Sequence, residues 1–222
     1  MKNRLSVGLL LLVAGANVAS AQDSPRVTIQ NPGGTIIGTP GDVESFASVP
    51  FAKPPVGPLR LRAPQSLSEP LGEYHATHEP FACPQFFFQV DEYPLFAAAL
   101  GQLLNAAPLQ NAVGESEDCL YLNIYRPKGT KACDNLPVLF WIFAGGFEFG
   151  WNSMYSPAGP QWVSASVEQG QPIIFITVNY RVGGFGFMPG SETKKEGSGN
   201  AGLLDQRLAL EWVSDNIEAF GG

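Results

Sequence analysis

Apolar and polar positions in the first half of the chain come in short bursts broken by Pro and Gly. Val27 to Gln30 and Thr35 to Gly38 are β-like runs around the turn Asn31-Pro32-Gly33-Gly34, which predicts a hairpin. Val43 to Ser48 predicts another strand. Residues 50–64, PFAKPPVGPLRLRAP, hold five prolines. Proline lacks an N–H and fixes φ, so this stretch predicts an extended surface crossing, not helix or central strand. Further on the pattern changes. Leu120 to Tyr125, Val138 to Phe143 and Ile173 to Asn179 are β-rich, and the last two are almost wholly apolar, as strands covered on both faces are. Gly159 to Gly170 between them predicts a surface helix. In Ala201 to Phe220, residues Leu204, Leu208, Trp212, Val213 and Ile217 fall on one side at helical spacing. This order of strands and helices predicts an α/β fold with a mostly parallel sheet and an N-terminal β-hairpin.

Composition narrows the class. The 222 residues are 45% hydrophobic and 15% charged, which describes a globular chain long enough for one core. The formal net charge of −7 leaves no basic face for nucleic-acid phosphates. The first segment, residues 1–21, has Lys2 and Arg4, an apolar run from Leu5 to Val13, and Ala19-Ser20-Ala21. This is the pattern of a secretory signal peptide cut after Ala21, and the run is too short to span a bilayer. Its removal would take the formal charge to −9, since Lys2 and Arg4 leave with it. No second run of membrane-spanning length follows, so a secreted chain without an integral membrane segment is expected, in surroundings that permit disulfides.

Val138 to Phe143 runs straight into Ala144-Gly145-Gly146-Phe147. A buried strand ending in paired glycines brings bare backbone N–H groups to the carboxyl edge of a sheet, where open α/β sheets bind ligands. Two such donors aimed at one point stabilise an oxyanion in acyl transfer. The alternative is a tight turn in which Gly supplies positive φ.

Other segments decide how that pair is read. Glu117-Asp118-Cys119-Leu120-Tyr121-Leu122-Asn123-Ile124-Tyr125-Arg126-Pro127 resembles a signature of the type-B carboxylesterase/lipase family, which includes cholinesterases and fungal lipases of the α/β-hydrolase fold. Residues 46–64, 141–150 (WIFAGGFEFG), 178–187 and 199–222 resemble its proline-rich crossing, its oxyanion loop, and the strand and helix that follow, in the same order. The resemblance implies the N-terminal portion of an α/β-hydrolase domain over residues 22–222, with Gly145 and Gly146 as oxyanion-loop donors. Most members have Gly where this chain has Ala144; alanine is harmless there at negative φ and costs about 1 kcal/mol at positive φ.

The resemblance also implies a disulfide between Cys83 and Cys119. Cys133 is then left as a free thiol or awaits a partner elsewhere. Two buried ion pairs are implied, Arg60 with Glu117 and Arg181 with Asp205; unpaired surface charges are the alternative. The disulfide loop matches a lid in lipases of the family, and Phe86, Phe87, Phe88, Leu95, Phe96, Leu100, Leu103 and Leu104 load it with apolar surface suited to hydrophobic carboxylic esters. These residues could instead pack on the rest of the protein. No cofactor and no metal are implied, and His75 and His78 read as solvated loop residues.

No G-x-S-x-G occurs, and the family's Asp/Glu and His would follow it in chain order. Gly197-Ser198-Gly199 lacks both the spacing and a preceding strand. The expectation is the N-terminal segment of a secreted serine ester hydrolase, as a fragment or a truncated gene model, inactive by itself. The alternatives are a non-catalytic secreted binding protein that keeps the fold, and a short product that binds hydrophobic ligands. In the family the strand before the oxyanion loop is flanked by the strand leading to the nucleophile, so in this chain it should present an open apolar edge.

Overall fold

A computed structural model describes residues 23–85 and 114–222. The chain opens with β1 (Arg26–Ile29) and β2 (Gly34–Ile37), paired antiparallel with Val27 opposite Ile36. This is the expected hairpin. Next come β3 (Val43–Pro50) and β4 (Glu73–His75), then β5 (Tyr121–Pro127), β6 (Val138–Ile142) and β7 (Ile174–Val178). The helices are α1 (Ala158–Glu168), the one-turn α2 (Gly183–Gly186), α3 (Ser191–Glu196) and α4 (Ala201–Phe220). The proline-rich crossing between β3 and β4 contains a single 3-10 turn, Gly57–Leu59.

Two sheets form. The small one has the order β1-β2-β4, and the larger one β3-β5-β7-β6. The α/β class holds, but strand direction within the larger sheet differs from the expectation. β3/β5 and β5/β7 are antiparallel, and β6/β7 is the parallel pair. The hydrophobic pattern specifies which residues are buried, not which strand lies beside which. β5 pairs with β7, the second strand after it in sequence, and the helical crossover α1 then makes β6 and β7 parallel neighbours.

β7 is buried along its whole length, and its alternate residues feed two cores. Ile174, Ile176 and Val178 join Phe46, Leu122, Ile124 and α4 residues Trp212, Val213 and Phe220 on one face. Phe175 joins Tyr125 and Val163 of α1 on the other. The α4 face is also more polar than its apolar spacing suggests, since Asp205 and Asn216 are buried along with Ala209, Trp212 and Val213.

β6 does not share this cover. It was expected to be covered on both faces, yet no residue in it is fully buried, and Trp141 and Ile142 are 36% and 38% exposed. β7 is its one neighbour among the described residues, so β6 carries an unpaired apolar edge there. Such edges recruit other chains. A polypeptide limited to residues 23–222 is therefore expected to elute as oligomers and to bind a hydrophobic dye, and Ile142→Lys should shift it toward monomer. Sharp monomeric elution of the unsubstituted polypeptide would contradict this.

Candidate active site

The segment after β6 turns sharply. Gly145, Gly146 and Phe147 have φ of 139, 64 and 65°, all in the region that L side chains rarely adopt. Glu148 N–H donates to the Gly145 carbonyl at 3.0 Å and closes the turn. A Cβ on Gly145 would lie 1.9 Å from the Phe149 carbonyl oxygen, so that position admits glycine alone. A Cβ on Gly146 would meet nothing within 4 Å; only its φ requires glycine. Ala144 lies outside the positive-φ region, which is the condition under which alanine is harmless. Neither Gly145 N–H nor Gly146 N–H donates a hydrogen bond among the described residues. Gly145 is half-buried and Gly146 exposed, at the end of β6.

A bulky residue at positive φ is costly, about 1–2 kcal/mol for a non-glycine in the left-handed region. Phe147 is held there from two sides. Gly183 N–H donates to its carbonyl at 2.7 Å, and its ring lies 5.0 Å from Phe187 and 6.5 Å from Tyr180. Tyr180 stacks on Phe143 at 4.3 Å and donates its hydroxyl to the Phe143 carbonyl at 3.2 Å. Burial pushes the Tyr180 phenol above its ordinary pKa, so it remains a donor. Sequence reasoning missed the strain at Phe147. The residues beside the paired glycines were the available signal.

Other anchors were also missed. Asn179, 1% exposed, accepts the Asn152 N–H at 2.8 Å and donates to the Phe81 carbonyl at 2.8 Å. It thus ties the end of β7 to the segment after the turn and to the segment before Cys83. Gly150 N–H donates to the side-chain oxygen of buried Gln85 at 2.6 Å. On the far side of the sheet, Arg126 pairs with Glu44 at 2.8 Å, directly across β3/β5, and lies over the Phe46 ring. Knowing the register would have exposed that pair; sequence spacing does not.

The residues singled out in the sequence are placed as follows. Cys83 and Cys119 are joined by a disulfide that encloses the intervening segment. For a closed loop of that size the chain-entropy model gives about 4 kcal/mol. Arg60 and Glu117 are paired, with Arg60 Nε donating at 2.6 Å. This pair was expected to be buried, yet Arg60 is 56% exposed, because the crossing that carries it lies on the surface. The Arg60 guanidinium holds the Glu117 carboxyl below its usual range. Arg181 and Asp205 form the buried pair: Nε and Nη2 donate at 2.8 and 2.7 Å, and the Arg181 backbone N–H adds a third bond at 3.0 Å. Burial pushes the Asp205 carboxyl up, against the pull of Arg181. Arg181 Nη1 also donates to the Arg62 carbonyl at 2.7 Å, fixing the proline-rich crossing to the end of β7.

His75 ends β4 and is not in a loop; His78 follows it, and both are exposed. Ser198 is buried between α3 and α4 and accepts the Ala63 N–H at 3.1 Å, a tie to the proline-rich crossing unrelated to a strand-to-helix nucleophile turn. Residues 1–22 and the lid candidates Phe86, Phe87, Phe88, Leu95, Phe96, Leu100, Leu103 and Leu104 lie outside the described residues. Cys133 is exposed and donates to Glu218 at 3.1 Å.

Two outcomes follow for the protein that carries this chain. Arg181→Met should lower stability to denaturant by about 3–5 kcal/mol, because it strands the Asp205 carboxylate in the interior. Arg181→Met with Asp205→Leu should recover most of that loss; equal loss in both variants would contradict the assignment. Glu218 raises the Cys133 thiol pKa, so less thiolate is present at neutral pH. Glu218→Gln should therefore speed alkylation of Cys133 by iodoacetamide at pH 7, and an unchanged rate would contradict it.

Comparisons with known proteins place the chain in a family. The carboxylesterase family model matches residues 23–222. Secreted lipase 1 of Botryotinia fuckeliana is 57% identical over 203 residues, covering 90% of this chain and 35% of the relative. A secreted triacylglycerol lipase of Gibberella zeae is 50% identical over 212 residues, covering 95% of this chain and 36% of the relative. The crystal structure of Aspergillus niger EstA superposes with a TM-score of 0.70 at 32% identity, over 90% of this chain and 34% of that one. The chain thus spans about a third of the length of the relatives it matches. On its sequence and its fold, the chain belongs to the carboxylesterase family.

Proposed function

We propose that this chain is the N-terminal portion of a secreted serine carboxylic-ester hydrolase and supplies two of the amides that stabilise its oxyanion. The observation that supports the reading is the pair of N–H groups at Gly145 and Gly146, undonated among the described residues and fixed by a positive-φ turn at the sheet's edge. In ester hydrolysis a serine alkoxide adds to the carbonyl carbon, the C=O π electrons move onto oxygen, and the tetrahedral intermediate carries that charge. Amides already oriented toward the oxygen need no reorganisation as the charge develops. The nucleophile, its general base and the third donor lie on polypeptide outside these residues, so the chain alone turns over no ester. A non-catalytic binder has no need for unspent amides at that point.

Support for secretion comes from the leader pattern in residues 1–21 and from two relatives whose names describe them as secreted. No helix among the described residues is long and apolar enough to cross a membrane. The substrate class, hydrophobic carboxylic esters, rests on the lipase relatives and on the apolar residues between Cys83 and Cys119.

The full-length protein should hydrolyse 4-nitrophenyl acyl esters and lose that activity to a serine-directed phosphonate. Gly145→Ala must displace the loop, and its kcat should fall by about 100-fold or more. Gly146→Ala keeps its amide and meets no atom, so the strain of about 1 kcal/mol should cost roughly tenfold or less. Absence of turnover in the full-length protein, or equal tolerance of both substitutions, would overturn the reading.

A further inference from the structure

Loop 144–150 meets the disulfide-bounded segment at one buried point. Gln85 is 3% exposed and lies two residues after Cys83. Its side-chain oxygen accepts the Gly150 N–H at 2.6 Å. Its backbone N–H donates to the Glu115 carboxylate, and Glu115 lies beside Ala82, where Ser116 N–H donates to the Ala82 carbonyl at 2.9 Å. Gln85 is therefore immobilised from three sides: by the Cys83–Cys119 bond, by Glu115, and by Gly150. The opposite end of the loop is set independently, by the Tyr180–Phe143 stack.

We propose that Gln85 is a positioning residue for the oxyanion loop: its amide oxygen fixes Gly150, and through it the direction in which the Gly145 and Gly146 amides point. Asn179 holds the chain two residues further on, and Gln85 holds Gly150 itself. Gly150 is buried, and an unmade bond to a buried amide costs its full desolvation. The Gly145 carbonyl is already engaged by Glu148 and Phe149, so movement of Gly150 is transmitted directly to the turn. An amide side chain suits this role because it accepts without carrying a charge into a site where negative charge must develop. The same role explains what the disulfide does for the chemistry. It holds in place the side chain that accepts the Gly150 N–H.

This inference rests on the hydrolase reading, and the experiment separates the two. In the full-length protein, Gln85→Leu removes the acceptor at nearly constant volume. Its kcat for a 4-nitrophenyl ester should fall by about tenfold to a hundredfold, with KM within about twofold. Affinity for a trifluoromethyl ketone, whose hemiketal oxygen occupies the oxyanion position, should fall in parallel with kcat. Hydrogen exchange in residues 144–150 should accelerate. Gln85→Glu retains an acceptor oxygen and should restore slow exchange in residues 144–150, while its charge should keep kcat and ketone affinity below wild type; Gln85→Asn, one methylene shorter, replaces the Leu variant if that fails to fold. Unchanged kcat and ketone affinity in an active enzyme, or unchanged exchange in 144–150, overturns the role of Gln85. An inert wild-type protein overturns the hydrolase reading instead, while exchange still decides whether Gln85 holds the loop.

Discussion

The structure depends on a backbone constraint at the end of β6. Three successive residues, Gly145, Gly146 and Phe147, sit at positive φ so that two amides leave the ladder pattern and, among the described residues, remain undonated. A chain does not hold that conformation by local preference. Only the two glycines tolerate it at little cost, and Phe147 does not. The conformation persists because its surroundings over-determine it. The Gly183 amide, the Phe187 and Tyr180 rings and the Gln85 side chain each fix one point of the loop, and none of them comes from the loop itself.

Those fixing groups share an origin. Most stand at or just beyond the C-terminal end of β7, the strand buried on both faces. Asn179, Tyr180 and Arg181 are consecutive, nearly fully buried, and each holds a different segment: the chain after the turn, the base of loop 144–150, and the proline-rich crossing together with α4. Buried polar groups of this kind add little net stability, since their desolvation offsets much of what their bonds return. Their effect is on geometry. A shift at the end of β7 would reach all three segments at once.

Much of the architecture was legible in the sequence. The hairpin around Asn31-Pro32, the strands at 138–142 and 174–178 and the long helix at 201–220 follow from turn residues and from apolar spacing, which are local properties. The small strand Glu73–His75 was not legible, because three polar residues become a strand only through pairing with β2. Nor was the exposure of β6. Its composition matches that of β7, and whether an apolar strand is covered depends on what lies beside it. The Arg60–Glu117 pair shows the same limit: the residues that meet could be named, while the depth at which they meet could not.

The sequence alone therefore determined the family, the main strands and helices, and the identity of the turn glycines. It did so because a strand running into paired glycines and a long specific signature are written in consecutive residues. Tertiary structure alone decided that the two amides have no backbone partner among the described residues, that Ala144 fits, that Phe147 is strained, and that Gln85 reaches Gly150. Each of these is a relation between residues distant in the chain, or a backbone angle imposed by neighbours, and no periodicity in a one-dimensional string records it.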